Sequence, residues 1–345
     1  MYSSGVFNLL REVYLSWPEM IKSVLEKWGI HRVDGVFDEV VVVGMGGSGI
    51  VGDYLQVLAA ERGPLPVYVV KSYILPRYVD KDSLVLLISY SGNTLETLLA
   101  FKRAVMSKLR VIVVSSGGIL GEEARRRGVL HVEVPGGIVP RASLPLMLYS
   151  VLGLLDTSGY SIVTLREAEE SAVFLEEVKS SVFEFSNELA KWLYSECVVP
   201  GKLVVVATHT PMDVLALRFK NELNENSKLH VKVDVAPEWM HNDIVGCEAP
   251  LHRDYCVIEI VDLGDAAGHR LVEFMRSIYS ELTNSFYRVE LRGENFLEKL
   301  LYGSLVGGLT STLLAELRGL DPLTTRTIQL YKSRVLNIFQ SSEVF

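Results

Sequence analysis

Val41-Val42-Val43-Gly44-Met45-Gly46-Gly47-Ser48-Gly49 and Leu86-Leu87-Ile88-Ser89-Tyr90-Ser91-Gly92-Asn93-Thr94 share one pattern: an apolar run breaks into a turn rich in glycine and hydroxyl groups. The first turn feeds Ile50-Val51-Gly52-Asp53-Tyr54-Leu55 and the second feeds Leu95-Glu96-Thr97-Leu98-Leu99. Each therefore reads as a strand passing into a helix N-terminus, where unpaired N–H groups and the positive end of the helix dipole favour an anion. The hydroxyls of Ser48, Ser89, Ser91 and Thr94 add donors at the same end of the sheet. Two such turns side by side predict a cradle for a phosphate monoester.

Gly44, Gly46 and Gly49 also satisfy G-x-G-x-x-G, the dinucleotide fingerprint. That fingerprint needs an acidic residue about 20 positions on, at the end of the next strand, to hold the ribose hydroxyls. Here the next strand, Pro66-Val67-Tyr68-Val69-Val70, ends in Lys71-Ser72. The second turn, moreover, has no counterpart in a nucleotide site. The phosphate-monoester reading is preferred, against the plainer alternative that both are tight turns in which glycine and serine are common.

A chain of 345 residues with 49% hydrophobic residues and a net charge of −8 suits one large or two ordinary globular domains. No basic stripe suggests nucleic acid; Arg125-Arg126-Arg127 reads as a solvated helix end. Cys197, Cys247 and Cys256 are odd in number and lack C-x-x-C spacing, which argues against a disulfide framework or a zinc site. The opening residues include Glu12 and Glu19 and no apolar signal core. The apolar run Leu144 to Leu155 is shorter than the roughly 20 residues that span a bilayer. A cytoplasmic protein with no membrane partner is expected, and the scarcity of glutamine hints at a thermophilic source.

Residues 1–34 read as a helical segment interrupted at Trp17-Pro18. From Val40, short apolar strands alternate with amphipathic helices at 40–44, 48–60, 66–70, 84–88, 94–107, 110–114, 119–127 and 130–133. This pattern predicts a parallel sheet covered on both faces. Helices follow at 141–158 and 161–193, and the alternation restarts with strands near 203–208, 231–235, 256–261 and 288–291, a helix near 211–226, and closing helices at 296–317 and 326–336. The fold class expected is α/β, with two doubly wound domains whose parallel sheets are flanked by helices. The domains are drawn as 1–34 helical, 35–158 first sheet domain with the phosphate site, 159–195 linking helices and 196–345 second sheet domain. In the second copy, Thr208-His209-Thr210-Pro211-Met212-Asp213 stands where Gly44 to Gly49 stood, and Val261-Asp262-Leu263-Gly264-Asp265 where Ser89 to Thr94 stood. Asp262 and Asp265 would repel a phosphate, so one cradle per chain is expected.

Three segments carry chemistry beyond this scaffold. Pro135 to Ser143 is a loop at a strand end, and its Arg141 could brace a developing oxyanion because guanidinium stays charged. Arg218 to Lys228 alternates amides and carboxylates at a helix end; Glu222 and Glu225, three apart, share a face, so spacing does not choose between them. Pro237-Glu238-Trp239-Met240-His241-Asn242-Asp243 sets a histidine among polar residues after a proline-marked loop. A carboxylate and a histidine near a phosphate site are what aldose–ketose isomerisation requires: one opens the ring, the other moves a proton between C1 and C2.

Gly44 to Gly49, Ser89 to Thr94, Pro140-Arg141, Asn224-Glu225-Asn226-Ser227-Lys228, Pro237-Glu238 with His241-Asn242, and Asp321-Pro322 leading to Thr325 and Lys332 together resemble the archaeal bifunctional phosphoglucose/phosphomannose isomerases. The likeness runs in order through nearly the whole chain. It implies two sugar-isomerase (SIS) domains and phosphate binding by Gly46, Gly47, Ser48, Ser89, Ser91 and Thr94. It further implies Glu225 as the base, His241 with Lys332 for ring opening, Arg141 as stabiliser of a cis-enediolate, and Thr325 at the sugar end. The histidine would come from a neighbouring subunit, making a homodimer. The residues show no clustered metal signature, so neither metal nor cofactor is expected. Residues 247–254 depart from the tryptophan-bearing run that the resemblance leads one to expect after Gly246. The competing class is a non-catalytic SIS-type sugar-phosphate sensor, which would have the cradle without the carboxylate and histidine; residues 1–34 show no basic helix-turn-helix pattern to go with it.

Overall fold

The strands form two wholly parallel sheets, one of five and one of four among the described residues. The computed structural model describes residues 4–251 and 254–340, so His252 and Arg253 of the divergent 247–254 segment lie outside the described residues. Packing gathers the chain into two compact units. One draws on residues up to 18 and on 173–323, the other on 19–172 and on residues from 324 onward.

The chain opens with α1 (Ser4–Leu15) and α2 (Trp17–Leu25), then β1 (Glu39–Val43), α3 (Gly46–Arg62), β2 (Val67–Val70), β3 (Ser83–Ile88), α4 (Leu95–Met106), β4 (Arg110–Ser115), α5 (Gly118–Arg126) and β5 (Leu130–Glu133). A 3-10 turn, Pro140–Ser143, leads into α6 (Leu144–Thr157) and α7 (Leu165–Trp192). The sheet order is β2-β1-β3-β4-β5. Val41, Val43, Val85, Leu87 and Val113 point to one face and pack with Ala100 and Phe101 of α4 and Leu120 and Ala124 of α5. Alternate residues serve the other face: a Cβ on Gly52 of α3 would stand 3.0 Å from the Val42 side chain. Burial on both faces explains why these strands read as unbroken apolar runs.

The second sheet has the order β7-β6-β8-β9, from β6 (Leu203–His209), α8 (Asp213–Ser227), β7 (Val231–Ala236), β8 (Tyr255–Val261), α9 (Ala266–Tyr279) and β9 (Phe286–Glu290), followed by α10 (Phe296–Leu317). Val205, Ala207 and Val257 pack beneath Met275 and Tyr279 of α9. Gly303 and Gly307 of α10 lie so close to Leu215 and Phe219 of α8 that a Cβ would come within 2.9 Å of those side chains. The last helix, α11 (Arg326–Gln340), belongs to the unit of the first sheet, where Val335 and Phe339 pack against Leu99.

Three sequence expectations need correction or addition. Cys197 and Cys256 form a disulfide with Cα atoms 5.8 Å apart. The 59-residue separation carries no spacing signal, and only folding sets the π-helical turn Leu193–Val198 against β8. Helix α9 has no counterpart in the sequence reading: Gly268, His269 and Arg270 break up its first turn, although Val272, Met275 and Tyr279 recur on one buried face. Finally, α10 is long and apolar enough to cross a membrane, unlike the shorter run 144–155, but 89% of the relevant stretch is buried, as in the core helix of a globular fold.

Candidate active site

In the first sheet the connections reverse direction between β1 and β3, which opens a crevice at the C-terminal ends of those strands. Both hydroxyl-rich turns emerge there. Met45, extended before α3, makes no side-chain cap, and neither does Thr94 before α4, so both helix N-termini keep amides for a ligand. Above Gly46 (φ +53) nothing among the described residues lies within 4 Å of the Cβ direction, whereas a Cβ on Gly47 would stand 2.7 Å from the Pro140 carbonyl carbon and 2.8 Å from the Arg141 nitrogen. Glycine at 47 is what lets the 140–143 turn lie across the start of α3. That turn carries Arg141, whose side chain is buried with only 6% of the residue exposed.

The two turns are tied to each other. The Ser48 hydroxyl accepts the Tyr90 N–H at 2.9 Å and is 3.7 Å from Met147 Sδ. Ser89, also buried, donates to Thr94 Oγ1 at 3.1 Å, and Ser91 Oγ accepts the Asn93 N–H at 3.3 Å. The Tyr90 phenol reaches the Pro135 carbonyl at 2.9 Å, and burial pushes its pKa above the ordinary phenol value. A third turn, which the sequence reading did not single out, braces the second: Ser116 donates to the Tyr90 carbonyl through both N–H and Oγ, and Asn93 Oδ1 accepts the Ile119 N–H. Its signal was present in Ser115-Ser116-Gly117-Gly118 after an apolar run. At the end of β2, where a ribose carboxylate would stand, Lys71 pairs with Asp53 at 2.5 Å.

Thr325, half-buried, and Lys332, exposed, belong to the same unit as the cradle. The preceding residue, Tyr331, donates its phenol hydrogen bond to the Glu96 carboxylate in the first turn of α4. Burial and then that carboxylate push the Tyr331 phenol up to about 12.

The second sheet has its own reversal between β6 and β8, and its turns there have lost the cradle. Asp265 Oδ1 accepts the Ala267 and Gly268 N–H groups at 3.0 Å, so the protein's own carboxylate occupies the anion position at the N-terminus of α9. These bonds, that from Gly268 first, hold Asp265 below the usual carboxylate range. The fully buried His209 ring lies over Gly268, where a Cβ would approach it to 2.2 Å, and Lys299 pairs with Asp262 at 2.8 Å.

In the same unit, Glu222 and Glu225 part company. Glu222 is buried, paired with Arg218 at 2.6 Å and bonded by Tyr14 and Asn226; Glu225, one turn on, is only half-buried. His241 is exposed at the end of the 3-10 turn Glu238–His241 that follows β7. Trp239 of this turn stacks on Tyr279 at 5.6 Å, and Lys232 bridges Asp234 (2.6 Å) and Asp243 (3.2 Å) on either side of it. Thus Gly46, Gly47, Ser48, Ser89, Ser91, Thr94 and Arg141 gather around one crevice, Thr325 and Lys332 share their unit, and Glu225 and His241 belong to the other.

A family model described as "SIS domain" matches residues 38–152, and one described as "Bacterial phospho-glucose isomerase C-terminal SIS domain" matches residues 185–335. The bifunctional phosphoglucose/phosphomannose isomerase of Aquifex aeolicus (strain VF5) is 34% identical over 338 residues, covering 96% of this chain and 98% of that protein. That of Aeropyrum pernix is 33% identical over 338 residues, with 94% and 98% covered. Glucosamine-6-phosphate deaminase from Thermotoga maritima superposes with a TM-score of 0.69 at 16% identity, covering 92% and 96%, a likeness of fold alone. With one SIS match on each parallel sheet and such relatives alike along almost their whole length, the chain belongs to the bifunctional phosphoglucose/phosphomannose isomerase family.

Proposed function

We infer that this chain is an aldose–ketose isomerase interconverting glucose 6-phosphate and fructose 6-phosphate, and also mannose 6-phosphate and fructose 6-phosphate. The observation that carries the reading is two uncapped helix N-termini, those of α3 and α4, at one sheet crevice beside the buried cation of Arg141. Backbone amides from Gly46 and Gly47, with hydroxyls from the turn Ser89 to Thr94, hold the phosphate. Because Ser48 Oγ already accepts from Tyr90, its contribution is to keep the two turns in register as well as to line the cradle.

The chemistry proceeds in two stages. His241 and Lys332 move the protons that open the pyranose or furanose ring, with Thr325 against the sugar. Glu225 then takes the proton from the carbon next to the carbonyl and returns it to the neighbouring carbon. That proton is too weakly acidic for a carboxylate unless the enediolate is stabilised, and a charged guanidinium such as Arg141 supplies the stabilisation. No metal is required for this route. The exposure of His241 supports its service to a neighbouring subunit, hence a homodimer. Segment 35–158 supplies phosphate binding, segment 196–345 the base, and the enzyme works in the cytoplasm without nucleic acid or membrane.

The test is to incubate the purified protein with fructose 6-phosphate in EDTA and quantify glucose 6-phosphate and mannose 6-phosphate separately. Both products are expected. Binding of the sugar phosphate with neither product would favour the sensor, and loss of turnover on chelation would overturn the metal-free route.

A further inference from the structure

Glu225 lies in the last turn of α8, the part of a helix whose carbonyls lack intrahelical partners and which ordinarily frays. A proton-transfer base tolerates little displacement, since misplacement by about 1 Å costs on the order of a hundredfold in rate. This turn is bound on several sides. Asn226, next to Glu225 and fully buried, donates through Nδ2 to Glu222 Oε2 and to Ser311 Oγ, each at 2.9 Å. Tyr14 of α1 donates to the same Glu222 oxygen at 2.5 Å, and Ser311 of α10 is itself anchored on the Gly308 carbonyl at 2.9 Å. Arg318 donates to the Ser227 carbonyl, and Lys228, in the left-handed conformation at φ 54, closes the helix by donating its N–H to Leu223 and its Nζ to the Glu225 carbonyl.

A close approach makes this clamp specific: a Cβ on Gly308 would come 2.4 Å from the Tyr14 ring, so α1 sits directly on α10 with its phenol aimed at α8. The buried Glu222 carboxylate is the hub, and Arg218, itself over the Trp17 ring at 5.6 Å, balances its charge. We propose that Tyr14 and Ser311, acting through Glu222 and Asn226, are positioning residues that fix the last turn of α8 and so the reach of Glu225. This rests on the reading of Glu225 as the base.

The experiment compares Tyr14→Phe, Ser311→Ala and their combination with Glu225→Gln. It measures kcat, KM, the primary isotope effect with glucose 6-phosphate deuterated at C2, and the fraction of deuterium carried to C1 rather than lost to water. The double variant is expected to keep KM within about twofold, lose kcat by roughly tenfold, raise the isotope effect and lose more label to solvent. Should the double variant fail to fold, each single variant is expected to move the isotope effect and label loss in the same direction. Unchanged isotope effect and label transfer in folded variants, with Glu225→Gln inactive, would overturn the positioning role alone. Turnover retained by Glu225→Gln would instead overturn the base assignment beneath it.

Discussion

The Ser48 hydroxyl accepts the Tyr90 N–H at 2.9 Å and thereby joins the two turns of the cradle into one body. The bond is buried on both sides, with Ser48 5% and Tyr90 4% exposed. A serine that looks in sequence like one more phosphate donor is also the cross-link between the turns.

Ser48→Ala should therefore act twice. It leaves the Tyr90 amide buried without its acceptor, at a cost of about 1–3 kcal/mol. It also frees the second turn to shift relative to α3, which raises KM for the sugar phosphate. Urea unfolding and steady-state kinetics on the same preparation check both effects; wild-type stability with raised KM would make Ser48 a phosphate ligand only.

Gly92 is where the second and third turns touch. At φ +67, a Cβ there would stand 1.9 Å from the Gly117 carbonyl oxygen, a backbone atom that has nowhere to go. Gly92→Ala should lose more than about 2 kcal/mol and most of the activity, as a strained and overpacked site does. Calorimetry showing an unchanged Tm would contradict this.

The Cys197–Cys256 disulfide closes 59 residues of chain, and both sulfur-bearing residues are fully buried. Loop-closure entropy for that length is about 4 kcal/mol. The Cys197→Ser/Cys256→Ser double variant should melt well below the wild type while its activity at moderate temperature stays close to normal, since neither residue lies in the proposed machinery. Identical melting of variant and oxidised wild type would remove the staple from the account.

Asp265 caps α9 with its carboxylate, and its pKa is lowered in the folded state chiefly by the Gly268 N–H. A depressed carboxylate contributes stability above its unfolded value of about 3.9 and loses it as pH falls through the lower folded value. Asp265→Asn, which keeps an acceptor, should flatten that acid limb. Asp265→Ala should cost about 1 kcal/mol at neutral pH through the lost cap. Chemical denaturation between neutral pH and pH 3 separates the two; parallel acid limbs for wild type and Asn would refute the charge contribution.

Local chemistry was readable wherever one residue's neighbours in sequence are also its neighbours in space. The apolar runs 40–43 and 84–88, the glycine turns after them, and the repeat of the pattern after 203 announced two parallel sheets, because strand burial and turn geometry are written within a few residues. The missing carboxylate at Lys71 turned the first glycine motif away from a nucleotide for the same reason. Glu222 and Glu225 could not be told apart that way. Three positions apart on one helix, they differ because Tyr14, more than two hundred residues upstream, bonds the buried Glu222 together with Asn226, which Ser311 on α10 holds in turn.

The sequence by itself thus determined the layer architecture, the strand–turn–helix sites for an anion and the family. Only the tertiary structure decided that Cys197 pairs with Cys256, that Asp265 fills the anion position at α9, that α11 returns to the unit of the first sheet, and which of two glutamates is sealed away. Periodicity reports that a face is buried; the partner that buries it is chosen by long-range packing, on which local spacing has no bearing.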